Sequence, residues 1–110
     1  MEELRFKVQG SASDPYDVTF RLHGTNLSAY CTCPAGVNGQ YCKHRFGIMA
    51  GQTKGIVSRN ESDVAIVHDW VPGTDVEAAI QDLVAAEDQL ADAKKDVSAA
   101  KKRVAAAMRD

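Results

Sequence analysis

Leu4, Phe6 and Val8 alternate with Arg5, Lys7 and Gln9, a period of two that predicts a half-buried strand. Gly10 to Pro15 is rich in turn formers and breaks it. Tyr16, Val18, Phe20 and Leu22 alternate again, and His23-Gly24-Thr25-Asn26 reads as a hairpin turn into a third strand, Leu27 to Cys31. His23 falls in that turn and is expected on the surface. Asn38-Gly39 marks a tight turn within the loop from Pro34 to Gln40. The period then changes. Cys42, Phe46 and Met49 recur at helical spacing, predicting a short helix over 41–50 that Gly51 ends. Gly55 to Ser58 and Val64 to Val71 are rich in β-branched residues and flank Arg59-Asn60-Glu61-Ser62-Asp63. They predict a β-hairpin in which Trp70, the single tryptophan, anchors the core and His68 lies on the surface.

Pro72-Gly73 closes this half. Thr74 and Glu77 have the spacing of a capping box, with Thr74 as N-cap. From there to Asp110 the chain has neither glycine nor proline, which predicts one helix of about 35 residues, about 50 Å long. Its heptads are regular. Val76, Leu83, Leu90, Val97 and Val104 recur every seven residues, and Ala79, Ala86, Ala93, Ala100 and Ala107 fill the complementary seam position. Large aliphatics beside alanine let two helices approach closely, so a homodimer through this seam is expected, antiparallel in preference to parallel. The plainer alternative is an alanine-rich helix lying on its own domain. Acids come first along the helix and bases last, which also suits the helix dipole. A third reading takes the acidic run as a mimic of a phosphate backbone.

Composition changes this picture in three ways. Sixteen of the apolar residues are alanine, and 11 of them fall after residue 75, so the large apolar side chains are concentrated in the first 71 positions. A core that small usually needs a staple. The charges nearly balance, 13 basic against 15 acidic, which gives no reason to expect strong non-specific nucleic-acid binding. They are split, however: residues 1–60 hold seven basic and four acidic side chains, residues 61–110 six and eleven. This predicts two parts with different jobs, 1–72 and 73–110. With no 18-residue apolar run and no basic leader, a cytoplasmic protein without a membrane span is expected.

The staple is visible at Cys31-Thr32-Cys33-Pro34 and Tyr41-Cys42-Lys43-His44. The pattern is Cys-x-Cys, eight residues, then Cys-x-His, and it contains every cysteine of the chain. Structural zinc takes four Cys and His ligands in a tetrahedron, and two ligand pairs joined by a short loop can deliver it. Cys31, Cys33, Cys42 and His44 are the candidate ligands of a Zn²⁺ ion. Three thiolates and an imidazole around Zn²⁺ leave a charge of about −1, which Lys43 and Arg45 are placed to offset. Pro34 stiffens the turn, and Gly36 and Gly39 let the loop fold back. Inert buried thiols, or a redox or copper pair, are the alternatives; the nearby Cys-x-His favours zinc. An odd number of cysteines argues against a disulfide framework.

These residues resemble the SWIM zinc finger, whose signature is Cys-x-Cys, a gap, then Cys-x-His. Proline after the second cysteine and the Cys-Lys-His run are also similar to that family. The resemblance covers roughly residues 16 to 52. It implies a β-β-α arrangement, with strands before the first pair and a helix at the second, and it carries the ligand role to the same four residues. The fold class expected is therefore α+β: a zinc-stabilised β-β-α finger with extra strands, followed by one long helix. The family is associated with DNA binding and with protein contacts.

No paired catalytic carboxylates, Ser-His-Asp set or phosphate loop is visible, and four protein ligands would leave no open position on the metal, so no enzyme is expected. The first functional expectation is a zinc-binding interaction module or adaptor with a protein partner, assembling through its helix. The second is a nucleic-acid binder using Lys43, Arg45, Arg21 and Lys54, with Arg5, Lys7 and Arg59 as further bases. The third is a small inhibitor of a larger nucleic-acid-processing complex, of the kind mobile elements carry.

Overall fold

The structure, a computed structural model, describes residues 2–109. Three strands, β1 (Glu2–Val8), β2 (Tyr16–His23) and β3 (Asn26–Cys31), form an antiparallel meander in the order β1-β2-β3. The alternation seen in the sequence sets its register. Phe6 pairs with Val18 and Val18 with Cys31; Leu4 pairs with Phe20 and Phe20 with Ala29. Residues directly opposite in a ladder share a face. Phe6, Val18, Phe20 and Cys31 therefore line one buried face, and the rings of Phe6 and Phe20 meet edge to face at 5.9 Å. The β2–β3 turn has only Gly24 and Thr25 at its centre. Gly24 takes φ +60° while Thr25 stays out of the left-handed region, as a type II′ turn requires.

Two short helices follow, α1 (Pro34–Val37) and α2 (Lys43–Met49). Both end in the same way. The N–H of Gly39 donates to Gly36 O and that of Gln40 to Ala35 O; Gly51 donates to Ile48 O and Gln52 to Gly47 O. These are Schellman closures, with Gly39 (φ +71°) and Gly51 (φ +90°) in the left-handed conformation the motif needs. The helix expected over 41–50 is thus shorter, with Cys42 as its N-cap, and the first residues of the expected loop make a helical turn.

Residues 54–71 correct the sequence expectation. Only the first part behaves as extended chain: Ile56 bridges Val8, Gln9 N donates to Gly55 O and Val57 N to Lys7 O, which covers the free edge of β1. The second part is helix α3 (Asp63–Trp70), not a strand. Val64 and Val67, three residues apart, are both buried, while Ile66 between them is exposed. Packing of that face overrides the β preference of the valines. Trp70 is half-buried and packs at the margin of the core. His68 Nδ1 lies 2.7 Å from Met49 O, tying α3 to the end of α2.

The last helix, α4, runs from Asp75 to Met108, 34 residues. Its start is built differently from a capping box. Thr74 stands at the N-cap position, but its hydroxyl donates to Val71 O, and Glu77 accepts from the N–H of Gly73. Asp75 holds the β2–β3 turn, its N–H donating to Thr25 O and its carboxylate accepting from Leu27 N, both at 3.0 Å. The chain divides into two compact units, Met1–Glu77 and Ala78–Asp110. The architecture is α+β: a three-stranded antiparallel sheet, short helices and a long C-terminal helix. Among the described residues no helix is long and apolar enough to cross a membrane.

Candidate metal centre

Each ligand candidate is delivered by a different piece of local structure. Cys31 ends β3 on its core face, in line with Val18 and Phe6. One residue on, Thr32 is fastened to β2 by two hydrogen bonds: its N–H donates to Asp17 O, and its hydroxyl accepts from Asp17 N. Cys33 is then the N-cap of α1, with Pro34 as the first helical residue, where a missing N–H costs nothing. Its sulfur accepts from the N–H of Gly36 at 3.3 Å. The Schellman closure of α1 turns the chain back, Cys42 caps α2, and His44 sits on the first turn of that helix.

The result is one cluster. The four ligand atoms, three Sγ and the imidazole nitrogen, all lie within 4.8 Å of one another. Cys33 and Cys42 sulfurs are 3.4 Å apart, Cys42 Sγ is 3.6 Å from His44 Nδ1, and Cys31 Sγ is 3.8 Å from it. A tetrahedral ion with zinc-length bonds would space its sulfurs about 3.8 Å apart and sulfur from nitrogen about 3.6 Å. The donor set therefore fits a tetrahedral metal ion with little movement. The three sulfurs are buried and unbridged, and His44 is half-buried, its ring 5.1 Å from that of Tyr16.

The thiols do not share protons evenly. Burial pushes Cys31 up to about 12, helped by the neighbouring sulfurs of Cys33 and Cys42. Cys42 feels the same burial, but the N–H of Arg45 at the start of α2, together with Cys33, Cys31 and His44, brings it down to about 6. A Cys42 thiolate beside a protonated Cys31 is an arrangement in which a bound cation would displace the Cys31 proton.

Two supporting residues were not legible as such. Gly36 has an ordinary φ, so its need is clearance rather than a left-handed turn: a Cβ there would stand 2.8 Å from Cys31 Cβ and still closer to the Cys31 carbonyl. Gly10, far away in sequence, gives room first to the Tyr16 ring, which a Cβ would meet at 2.5 Å, and then to the imidazole beside it, 3.3 Å from Nε2. Neither leaves a signal in a single sequence beyond being glycine.

The basic residues divide into engaged and free. Arg45 does not face the sulfurs; its guanidinium donates to Ala29 O at 3.1 Å and to Gln40 O, clamping β3 to the loop between the ligand pairs. Arg21 pairs with Glu3 at 2.6 Å and lies over the Tyr30 ring. Arg5 shares Glu3, and Lys7 pairs with Asp17 at 2.8 Å. Lys43 and Lys54 are exposed and line one cleft of about 270 Å³, together with Gln9, Gly10, His44 and Gln52 and no carboxylate. Lys43 lines one cavity with Cys33, Cys42 and His44, and backbone N–H groups of Cys33, Gly36 and Arg45 also point at the sulfurs.

No family model, curated protein or solved structure matches the chain.

Proposed function

We propose that the chain is a zinc-binding interaction module without enzymatic activity. In this reading a SWIM-like finger over residues 1–72 is held by Zn²⁺ on Cys31, Cys33, Cys42 and His44, and the helix over 73–110 makes the protein contact. The convergence of all four ligand atoms within 4.8 Å, from two pairs eight residues apart, is the observation that carries it. Four protein ligands saturate a tetrahedral ion and leave no place for water or substrate, which is the mark of a structural site. Titration of the metal-free chain with Zn²⁺, followed by Trp70 fluorescence and circular dichroism, tests this reading. Folding should saturate at one equivalent, and Cys33→Ala should abolish the response. An unchanged spectrum on adding Zn²⁺ would contradict it.

A second reading, contact with a nucleic-acid backbone, is favoured by one observation, the carboxylate-free cleft between Lys43 and Lys54. Binding through these lysines would weaken steeply with salt, and Lys43→Ala with Lys54→Ala would flatten that dependence.

A further inference from the structure

Helix α4 presents an uncovered apolar stripe with an unusual charge arrangement. From Ala79 to Arg109 only Ile80 and Ala100 are even half-buried, and Leu83, Leu90, Val97 and Val104 are all exposed, the last three by more than half. Val76 is different: it packs against the core of the first unit, so the free stripe begins beyond it. Residues 75–92 carry six acidic side chains and no basic one, whereas residues 93–109 carry six basic and one acidic. A partner for this surface must bring apolar area to the stripe, basic charge to its first half and acidic charge to its second. A second copy of the same helix running the other way has that distribution.

We propose that this stripe is covered by a second copy of the chain, antiparallel, about a two-fold axis between Ala91 and Asp92. The proposal rests on the reading of α4 as the contact helix and supplies its partner and register. In this register each large residue meets a small one: Leu83 against the partner's Ala100, Leu90 against the partner's Ala93, Val97 against the partner's Ala86, Val104 against the partner's Ala79. Every layer occurs twice by symmetry, and the large-small alternation lets the backbones approach closely. The flanks agree. Glu87 comes opposite the partner's Lys94 and Asp82 opposite the partner's Arg103. Asp96 falls beside the partner's Gln89, so neither flank holds a like-charged pair. A parallel, in-register pair would stack alanine on alanine and set Asp82 beside the partner's Glu87.

The test is sedimentation equilibrium on the full zinc-loaded chain at tens of micromolar. The wild type should be a dimer, and Leu90→Asp a monomer with unchanged metal content. Glu87→Lys places lysine opposite the partner's Lys94 at two equivalent positions and should weaken the dimer about tenfold at low salt. Adding Lys94→Glu should restore it. A parallel dimer gives the opposite result, since Glu87→Lys would then relieve the clash with the partner's Asp82 and tighten association. A wild-type monomer, a dimeric Leu90→Asp, or a Glu87→Lys variant that associates more tightly would each overturn the proposal. Metal content of the same samples separates this outcome from failure of the zinc reading, and circular dichroism confirms that α4 remains helical.

Discussion

Gly36 and Arg45 show how closely individual residues around the cysteines are specified. A methyl at Gly36 would press on Cys31 and its carbonyl, so Gly36→Ala should cost about 1–3 kcal/mol, the range for overpacking. Chemical denaturation of the zinc-loaded variant measures it. Arg45→Ala should destabilise the protein because two carbonyls lose their donor, whereas Lys43→Ala, which removes the same charge from an exposed site, should leave the unfolding midpoint nearly unchanged. Proton balance gives a further expectation. With Cys31 pushed up to about 12, its thiol is protonated at neutral pH and must release that proton to solvent when the sulfur binds a metal; Cys42, near 6, is already ionised. Zinc uptake at pH 7.5 should therefore release protons, and affinity should fall as pH falls, more steeply below about 6 where Cys42 also holds one. Calorimetry in buffers of different ionisation enthalpy reads the proton count directly. The candidate ligand pattern was plain in the sequence because structural zinc sites are built from Cys and His at short spacing. The clamp made by Arg45 was not, because a guanidinium beside a metal site reads equally well as a charge partner.

Among the elements, the three strands and the long helix follow from simple periodicity. Alternation at Leu4-Phe6-Val8 and Tyr16 to Leu22 is what a sheet with one buried face demands, and 34 residues free of breakers make a helix. Helix α3 shows where that logic stops. Val64, Ile66 and Val67 satisfy either a strand or a helix, and the choice is made by which face the core accepts. The two alternatives separate by substitution. In the helix Val64 and Val67 share the buried face, so Val67→Ala should cost about 2 kcal/mol and Ile66→Ala less than about 0.5. In a strand Val64 and Ile66 would share a face instead. Comparable losses at positions 66 and 67 would contradict the helical assignment. Helix starts and stops were only partly legible: Gly39 and Gly51 signalled their turns, but Thr74 reaches back to Val71 rather than forward into α4.

On the scale of the whole chain, the sequence separates a residue-poor core from an alanine-rich helix, and the structure divides the chain into Met1–Glu77 and Ala78–Asp110. Among the described residues the core of the first unit includes the three cysteines within only 13 buried apolar side chains. So small a core is expected to depend on its staple, and structural zinc in finger peptides contributes about 10–16 kcal/mol of apparent binding energy near neutral pH. Removing the metal should therefore unfold residues 2–77 cooperatively. The same account explains why all three cysteines are buried yet unbridged: their sulfurs stand at the spacing of a shared ion rather than of a disulfide. The most direct test is the metal content of the native chain, purified without added metal and weighed intact by native mass spectrometry. The account predicts one zinc ion per chain, lost together with the fold in Cys33→Ala. A folded chain that carries no metal would contradict it.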